Sequence, residues 1–492
     1  MDLINNLKNN KMYIDGKWVE LSGLPTGQAG GKLFSVKNPA DESEVGTYFV
    51  GNRKDTSDAI NAADKAFKQW KEKPARERAN YLLSIAKALL DNKEELAKIL
   101  TMENGKPIKE SLGEVGGAAA HFEWYAEEAT RQYGRIVPPT NPSKRHLVIQ
   151  QPIGVVACVA PWNFPLVLWA RKVAPALAAG CTVVSRAASQ TTLCTIAAMK
   201  LIEKVNLPAG VLNLVTGPAA EVMDELINNQ KCRKISFTGS TEVGRDIMRK
   251  GAENIKHLSL ELGGLAPAIV FEDANIDVAV KGVLGAKFRN GGQSCIAINR
   301  IYVQKNIAGK FTAKFVEAVK KIKVGNGLKE ETELGPMVDK KSVEKFVQHV
   351  EDSVKKGGKL QCGGKRITGG EYANGNFVEP TVISEVKDNM LCMCDETFGP
   401  LAPITTFDTF DEVIERANAT QFGLSAYLYT QSLSTAFKAG EALEDGTIGI
   451  NDDVPSTTIA PFGGMKQSGL GRECGSEGLE AFLETKHMSM VI

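Results

Sequence analysis

Apolar positions along this chain follow two rhythms, one near four residues and one near two, and the exchange between them marks out its parts. Residues 12–19 set short apolar runs about a turn and predict a small hairpin. Asp55, Thr56, Ser57 and Asp58 offer N-caps ahead of a helix over 59–73. The spacing predicts a long helical stretch over 75–106, with Leu82, Leu83, Ile85, Ala86 and Leu89 on one side and charges on the other. Helical spacing continues over 113–133. Pro138, Pro139 and Pro142 then interrupt it, and 145–149 reads as a strand, an excursion of the kind used for assembly.

From Gly154 strand and helix alternate. Strands are predicted at 155–160, 182–184, 211–215 and 234–237, and helices at 165–179, 191–205, 219–229 and 240–250, with Gly180 ending the first of them. Repeated units of this kind build a parallel sheet covered on both faces, with ligands at the carboxyl ends of its strands. After Gly263 and Gly264 a second alternating series begins. Its strands read at 267–271, 300–303, 377–383, 402–407, 425–429 and 447–451, and its helices at 277–288, 307–324 and 340–356. A last strand reads over 486–492. The fold class is α/β, with two doubly wound parallel-sheet domains.

Length and charge narrow the function. At 492 residues the chain is too long for one core, so two or three domains are expected. Its 59 basic and 58 acidic residues give a net charge of +1, which draws it neither to nucleic acid nor to anionic lipid. No run of about 20 apolar residues exists to span a membrane. The first 19 residues lack the apolar core and cleavage site of a secretory signal. The nine cysteines are odd in number and several sit in apolar runs, which points to free thiols in a reducing, cytoplasmic setting. Cys392-Met393-Cys394 lacks the paired spacing and nearby His of a zinc site, so no metal is expected.

The candidate chemistry centres on residues 288–300. A polar, glycine-containing approach presents Cys295 just before an apolar strand, where a ligand can come close. Taken alone, such a cysteine reads better as a buried structural thiol. Gly239 and Ser240 sit between a strand and a helix start, which suits a pyrophosphate, although an ordinary N-cap is the better reading of this stretch by itself. Asn163 follows a strand and reads either as an oxyanion donor or as a helix cap. Glu261 stands at a strand end before two glycines, placed as a general base or as a salt-bridged carboxylate.

Six motifs taken together decide more. Trp162-Asn163-Phe164-Pro165, Phe237-Thr238-Gly239-Ser240, Leu260-Glu261-Leu262-Gly263-Gly264, Gly292-Gln293-Ser294-Cys295, Glu396-Thr397-Phe398-Gly399-Pro400 and Pro461-Phe462-Gly463-Gly464 occur in that order. The chain resembles the NAD(P)-dependent aldehyde dehydrogenase superfamily over nearly its whole length. The resemblance implies that Cys295 attacks an aldehyde and Asn163, with the Cys295 N–H, holds the oxyanion. It implies that Glu261 activates water against the thioester and that Lys172 lies near a proton path. Trp162, Ser240, Glu396 and Phe398 would line the cofactor cleft. It further implies a Rossmann-like cofactor domain over 1–133 and 152–260, and a catalytic thiol domain over 261–446. A small β oligomerisation arm would comprise 134–151 and 475–492, in a homodimer or homotetramer.

Arg171, Arg289 and Ser456 resemble the carboxylate-binding set of succinate-semialdehyde dehydrogenases. Two guanidiniums and a hydroxyl can hold a distal carboxylate. Oxidation of succinate semialdehyde to succinate is therefore expected. Glutarate semialdehyde, 2-oxoglutarate semialdehyde and general aliphatic aldehydes are the alternatives. A silent member of the fold is disfavoured by Cys295, Glu261 and Asn163, and a phosphate or coenzyme A acceptor by Glu261. Two positions depart from the family pattern. Arg186-Ala187 stands where Lys-Pro is usual, and Ser189 where NAD enzymes often carry Glu. Ser189 removes a repulsion toward a 2′-phosphate and Arg186 adds a fork, so NADP is expected, with NAD as the alternative. Ala297 replaces a second cysteine common in relatives, so activity independent of a local disulfide is expected.

Overall fold

The computed structural model describes residues 3–20 and 32–492. Among these residues two parallel-rich sheets carry the fold, one of eight strands and one of seven. The centre of the first is parallel: Leu212–Val215, Thr182–Arg186, Val155–Val159, Cys232–Thr238 and His257–Glu261, in that spatial order. Antiparallel strands close both of its edges. The hairpin of Met12–Ile14 and Lys17–Val19 lies beside Leu212–Val215, and Gly469–Leu470 lies beside His257–Glu261. Val155–Val159 and Thr182–Arg186 are buried at every position, which is why they read as continuous runs rather than alternations.

The second sheet runs Lys359–Cys362, Thr381–Ser384, Leu401–Phe407, Arg300–Gln304, Pro267–Val270, Ser425–Tyr429 and Thr447–Ile450. Lys359–Cys362 alone pairs antiparallel there. A separate three-stranded sheet joins Arg135–Val137, Lys144–Pro152 and Leu483–Val491, all antiparallel. Its two ends are thus brought together from opposite parts of the chain. No helix among the described residues is long and apolar enough to cross a membrane.

Local physics moves several expected boundaries. The first helix runs Arg53–Trp70, not from 59, because Asn52 is its cap. The Asn52 side chain accepts from the N–H groups of Lys54 and Asp55, and the Asp55 carboxylate accepts from Asn52 N at 2.9 Å. Asp55 is therefore the returning arm of a capping box rather than the cap. The stretch 75–106 forms two helices, Ala75–Asp91 and Lys93–Asn104, parted at Asn92 with φ −119° and ψ 22°. Leu83 is exposed, while Leu82, Ile85, Ala86 and Leu89 form the buried stripe. The strand expected over 377–383 starts only at Thr381. Pro380 has no N–H for a ladder, and Phe377 and Glu379 bond instead to Ile367 and Lys365. The antiparallel pair Leu33–Lys37 and Glu44–Phe49, and the helices Phe410–Asn418 and Leu433–Ala442, went unpredicted. Thr409 and Ser432 cap those two helices.

Candidate active site

Cys295 owes its position to a sharp turn. The helix Ile276–Phe288 ends at Arg289, and Asn290, Gly291 and Gly292 follow with φ of 51°, 62° and 73°. Asparagine tolerates this left-handed region, and glycine enters it freely. A Cβ at Gly292 would lie 2.3 Å from Gly399 O, so only glycine fits there. Hydrogen bonds pin the turn. Asn290 N donates to Glu110 Oε2 at 2.8 Å, and Gln293 Nε2 donates to Asn290 O at 3.0 Å. Val338 N donates to Gln293 Oε1 at 2.9 Å.

Asn163 joins this turn to the first sheet. It follows the strand Val155–Val159 and is buried. Its Nδ2 donates to Gln293 O at 3.1 Å, and its own carbonyl accepts from Asn290 Nδ2 at 2.9 Å and Lys106 Nζ at 2.6 Å. Lys106 also ion-pairs with Glu114 at 2.7 Å, both side chains fully buried. Glu114 Oε1 accepts from Leu166 N at 2.9 Å and Val167 N at 3.3 Å. It thereby caps the helix Pro165–Ala179, whose N-cap Phe164 has no side-chain acceptor.

Two cavities meet at the thiol. One, of about 290 Å³, is lined by Phe164, Arg171, Arg289, Ser456, Phe462 and Cys295 among others. Arg171 Nη2 donates to Ser456 Oγ at 3.2 Å. The Arg171 guanidinium lies 4.7 Å from the Phe462 ring centre, and that of Arg289 lies 5.0 Å from the Phe164 ring centre. The three residues expected to share a substrate end thus border one cavity with Cys295. The second cavity, of about 210 Å³, is lined by Trp162, Asn163, Gly239, Ser240, Glu396, Phe398 and again Cys295. Trp162 and Phe398 meet edge to face at 5.5 Å. Ser240 caps the helix Thr241–Gly251, accepting from Val243 N at 3.4 Å. Glu396 accepts from Gly264 N at 3.1 Å, and burial pushes its carboxyl up to about 8.

The remaining expected residues lie beside these cavities rather than in their walls. Glu261 ends the strand His257–Glu261 at 2% exposure, and neither carboxylate oxygen has a hydrogen-bond partner among the described residues. Burial raises its pKa, the Glu473 charge adds to that, and Lys172 and Arg171 oppose. Burial also holds the half-buried Cys295 thiol well above its ordinary range, with the Glu261 charge next in size and Arg171 opposing. Lys172 is fully buried and ion-pairs with Glu473, whose same oxygen accepts from Ser236 Oγ at 3.4 Å. Arg186 turns inward, and its Nη2 donates to Gly217 O at 3.1 Å. Ser189 stands half-exposed, with its carbonyl accepting from Tyr48 Oη at 3.3 Å. Arg186 ends the strand Thr182–Arg186 and Ser189 follows it, and neither lines the second cavity.

Several lining residues escaped sequence reasoning. Glu114, His121 and Phe164 border the first cavity, and Thr238 the second. The recurrence of Gly113, Gly117 and His121 at intervals of four was the readable signal for one helix face.

Residues 26–488 match the aldehyde dehydrogenase family. The chain belongs to that family. This aldehyde dehydrogenase is 46% identical to the glutarate-semialdehyde dehydrogenase of Pseudomonas putida, over 99% of this chain and 98% of that one. It is 44% identical to the NADP(+) succinate-semialdehyde dehydrogenase GabD of Escherichia coli, over 98% of each. A crystal structure of an aldehyde dehydrogenase from Brucella melitensis biovar abortus superposes with a TM-score of 0.95 at 46% identity, covering 99% of this chain and 98% of that one.

The buried ion pair beneath Asn163 generates a stability prediction. Glu114→Ala leaves the Lys106 ammonium without its counter-ion and uncovers two helix N–H groups, so a loss of about 3–5 kcal/mol is expected. Denaturant unfolding measures it, and a loss below about 1 kcal/mol would show that the pair does not hold the loop.

Proposed function

We propose that this aldehyde dehydrogenase oxidises succinate semialdehyde to succinate with a nicotinamide cofactor, NADP in preference to NAD. One observation carries the substrate reading. Arg171, Arg289 and Ser456 border a cavity that also reaches Cys295, so a carboxylate held by them leaves an aldehyde carbon directed at the thiol. Glutarate semialdehyde is the second reading, favoured by the relative from Pseudomonas putida that carries that name.

The second cavity fits a nicotinamide nucleotide. Thr238 Oγ1 is buried there without a partner, and a Cβ at Gly263 would come 3.3 Å from Glu396 Oε2. Ser240 and the free N–H groups opening the helix Thr241–Gly251 suit the pyrophosphate, with Gly239 beside them. Trp162, Glu396 and Phe398 would hold the nicotinamide half. When bound, that group supplies the hydride acceptor.

The protein's own residues then divide the remaining work. Cys295 Sγ attacks the aldehyde carbon, and the sulfur–carbon bond gives a thiohemiacetal. Asn163 uses one N–H on Gln293 O, which leaves the other, with the Cys295 backbone N–H, for the oxyanion. After oxidation the acyl group remains on sulfur as a thioester. Glu261 takes a proton from water, the hydroxide displaces the thiolate, and the acid leaves. Lys172, paired with Glu473, sets the charge beneath Glu261.

The cofactor domain would comprise 1–133 and 152–260, of which residues 1, 2 and 21–31 lie outside the described residues, and the thiol domain 261–446. The antiparallel sheet over 134–151 and 475–492 would pair subunits of a homodimer or homotetramer in the cytoplasm. Ile136, Val491 and Ile492 stand exposed on it.

Four substitutions test this reading. Cys295→Ser abolishes cofactor reduction. Glu261→Gln lowers steady-state turnover by about a hundredfold or more while acyl enzyme accumulates on Cys295, as mass spectrometry would show. A carboxylate with a raised pKa is a base only above that pKa. Turnover of the natural enzyme therefore climbs with pH beyond the ordinary carboxylate range, and Glu261→Gln flattens that limb. Arg171→Ala raises KM for succinate semialdehyde by about ten- to a hundredfold, and for butanal far less. Equal effects on both aldehydes would overturn the carboxylate reading. Ser189→Glu lowers kcat/KM for NADP by about tenfold relative to NAD. An unchanged ratio would remove Ser189 from cofactor selection.

A further inference from the structure

The segment between the short helix Leu391–Cys394 and the strand Leu401–Phe407 carries two residues of the second cavity, Glu396 and Phe398. It has no strand of its own to fix them. Phe398 takes φ 53°, in the left-handed region that a bulky side chain rarely enters. Such a conformation persists only where the surroundings over-determine it. The helix Lys340–Lys355 supplies those surroundings. Lys345 Nζ donates to Glu396 O at 2.6 Å and pairs with Asp395 at 3.0 Å. One turn on, His349 meets Thr397 Oγ1 at 3.0 Å through Nδ1 and Asp395 at 3.4 Å through Nε2.

The two contacts of His349 fall on either side of Glu396. Asp395 is extended, at φ −125° and ψ 140°. On extended backbone, residues two apart share a face and the one between points the other way. Gripping Asp395 and Thr397 from behind therefore turns the Glu396 side chain toward the cavity, where it accepts from Gly264 N at 3.1 Å. Thr397 N in turn donates to Asn299 Oδ1 at 3.1 Å. The His349 hydrogen bond, and after it that of Lys345, hold the Asp395 carboxyl down at about 2 against the cost of burial. The acceptor at Nε2 is thus charged at neutral pH, and a neutral ring donating there takes the Thr397 hydroxyl at Nδ1. His349 itself is 1% exposed and borders neither cavity.

We propose that His349 is a positioning residue for the cofactor: by holding Asp395 and Thr397 it sets Glu396 and Phe398 against the nicotinamide half. It acts wholly through those two neighbours. The inference rests on reading the second cavity as the nicotinamide site, and it names a residue behind that cavity which shapes it. The same hold keeps the Phe398 ring edge to face with Trp162 at 5.5 Å, both lining that cavity.

Two ligands isolate the effect. NADP and adenosine 2′,5′-bisphosphate share the phosphorylated adenosine end and differ by the nicotinamide half. Titration calorimetry gives the Kd of each without turnover. His349→Leu is expected to weaken NADP about tenfold and to leave the bisphosphate unchanged. His349→Gln, whose amide both donates and accepts, should recover part of the loss. A purely structural role would weaken both ligands alike or neither. Thr397→Val, which removes the hydroxyl that His349 meets, shows the same selective loss and serves should His349→Leu not fold. NAD and AMP form the pair should the enzyme prefer NAD. An unchanged dinucleotide Kd, or an equal loss for both ligands, overturns the inference while leaving the cofactor reading in place. Should the natural enzyme bind neither dinucleotide, the cofactor reading falls, and this inference with it.

Discussion

The site depends on the carbonyl and amide of one residue, Asn163. Its amide bonds the backbone two residues before the thiol, and its carbonyl takes donors from the thiol loop and from buried Lys106. Asn163 lies in the loop after a central strand of the first sheet, and Asn290 and Gln293 belong to the turn that follows a helix of the second. Two hydrogen bonds therefore hold two independently built layers in register, and the Lys106 ammonium braces the Asn163 carbonyl from its own side. Bonds to charged donors are worth about 1.5–3 kcal/mol each, and more is lost when a buried one is left open. That cost makes the juxtaposition of cavity, thiol and cleft a property of the fold rather than of a mobile loop.

The charges around that junction are arranged at odds with stability. Glu261 is buried, and its pKa climbs because burial penalises its charged form. Fully satisfied proteins avoid such groups, and functional sites keep them. The compensation lies one layer down. Lys172 is wholly buried against Glu473, and each acts on Glu261 with opposite sign. The net effect is a carboxylate that holds its proton longer than an exposed one, beside a thiol that does the same.

The legible parts of the fold were those that local physics decides alone. Fully buried strands announce themselves as apolar runs, and Pro165 and Gly180 bracket their helix by backbone constraint, as observed. The gathering of Arg171, Arg289 and Ser456 was readable only through resemblance, since they sit on three distant segments. What stayed hidden depends on contacts that no periodicity encodes. Asn92 breaks a helix whose apolar spacing carries straight on, its Nδ2 bonding Ala88 O at 2.8 Å. Arg186 looked like a fork for phosphate, and its Nη2 is instead committed to Gly217 O. Its Nε has no partner among the described residues, so only part of the guanidinium is spent on them.

One short antiparallel bridge links the two ends of the reaction space. Phe462 and Glu473 exchange backbone hydrogen bonds of 2.7 Å in both directions. From that bridge the Phe462 ring reaches the Arg171 guanidinium, and the Glu473 carboxylate reaches Lys172. Arg171 and Lys172 are themselves neighbours on one helix. Two adjacent cations, one lining the first cavity and one acting on buried Glu261, are thus held by two residues that are paired to each other. The backbone just beyond is strained: Cys474 takes φ 61° and ψ 175°, a region almost confined to glycine. Such strain, of about 1–3 kcal/mol, persists only where the surroundings over-determine the conformation. The bridge supplies that determination. It keeps the Arg171 end of the slot and Glu261 in fixed relation, so that under the proposed function a substrate seated by its acid group would meet the thiol and the base at a set distance.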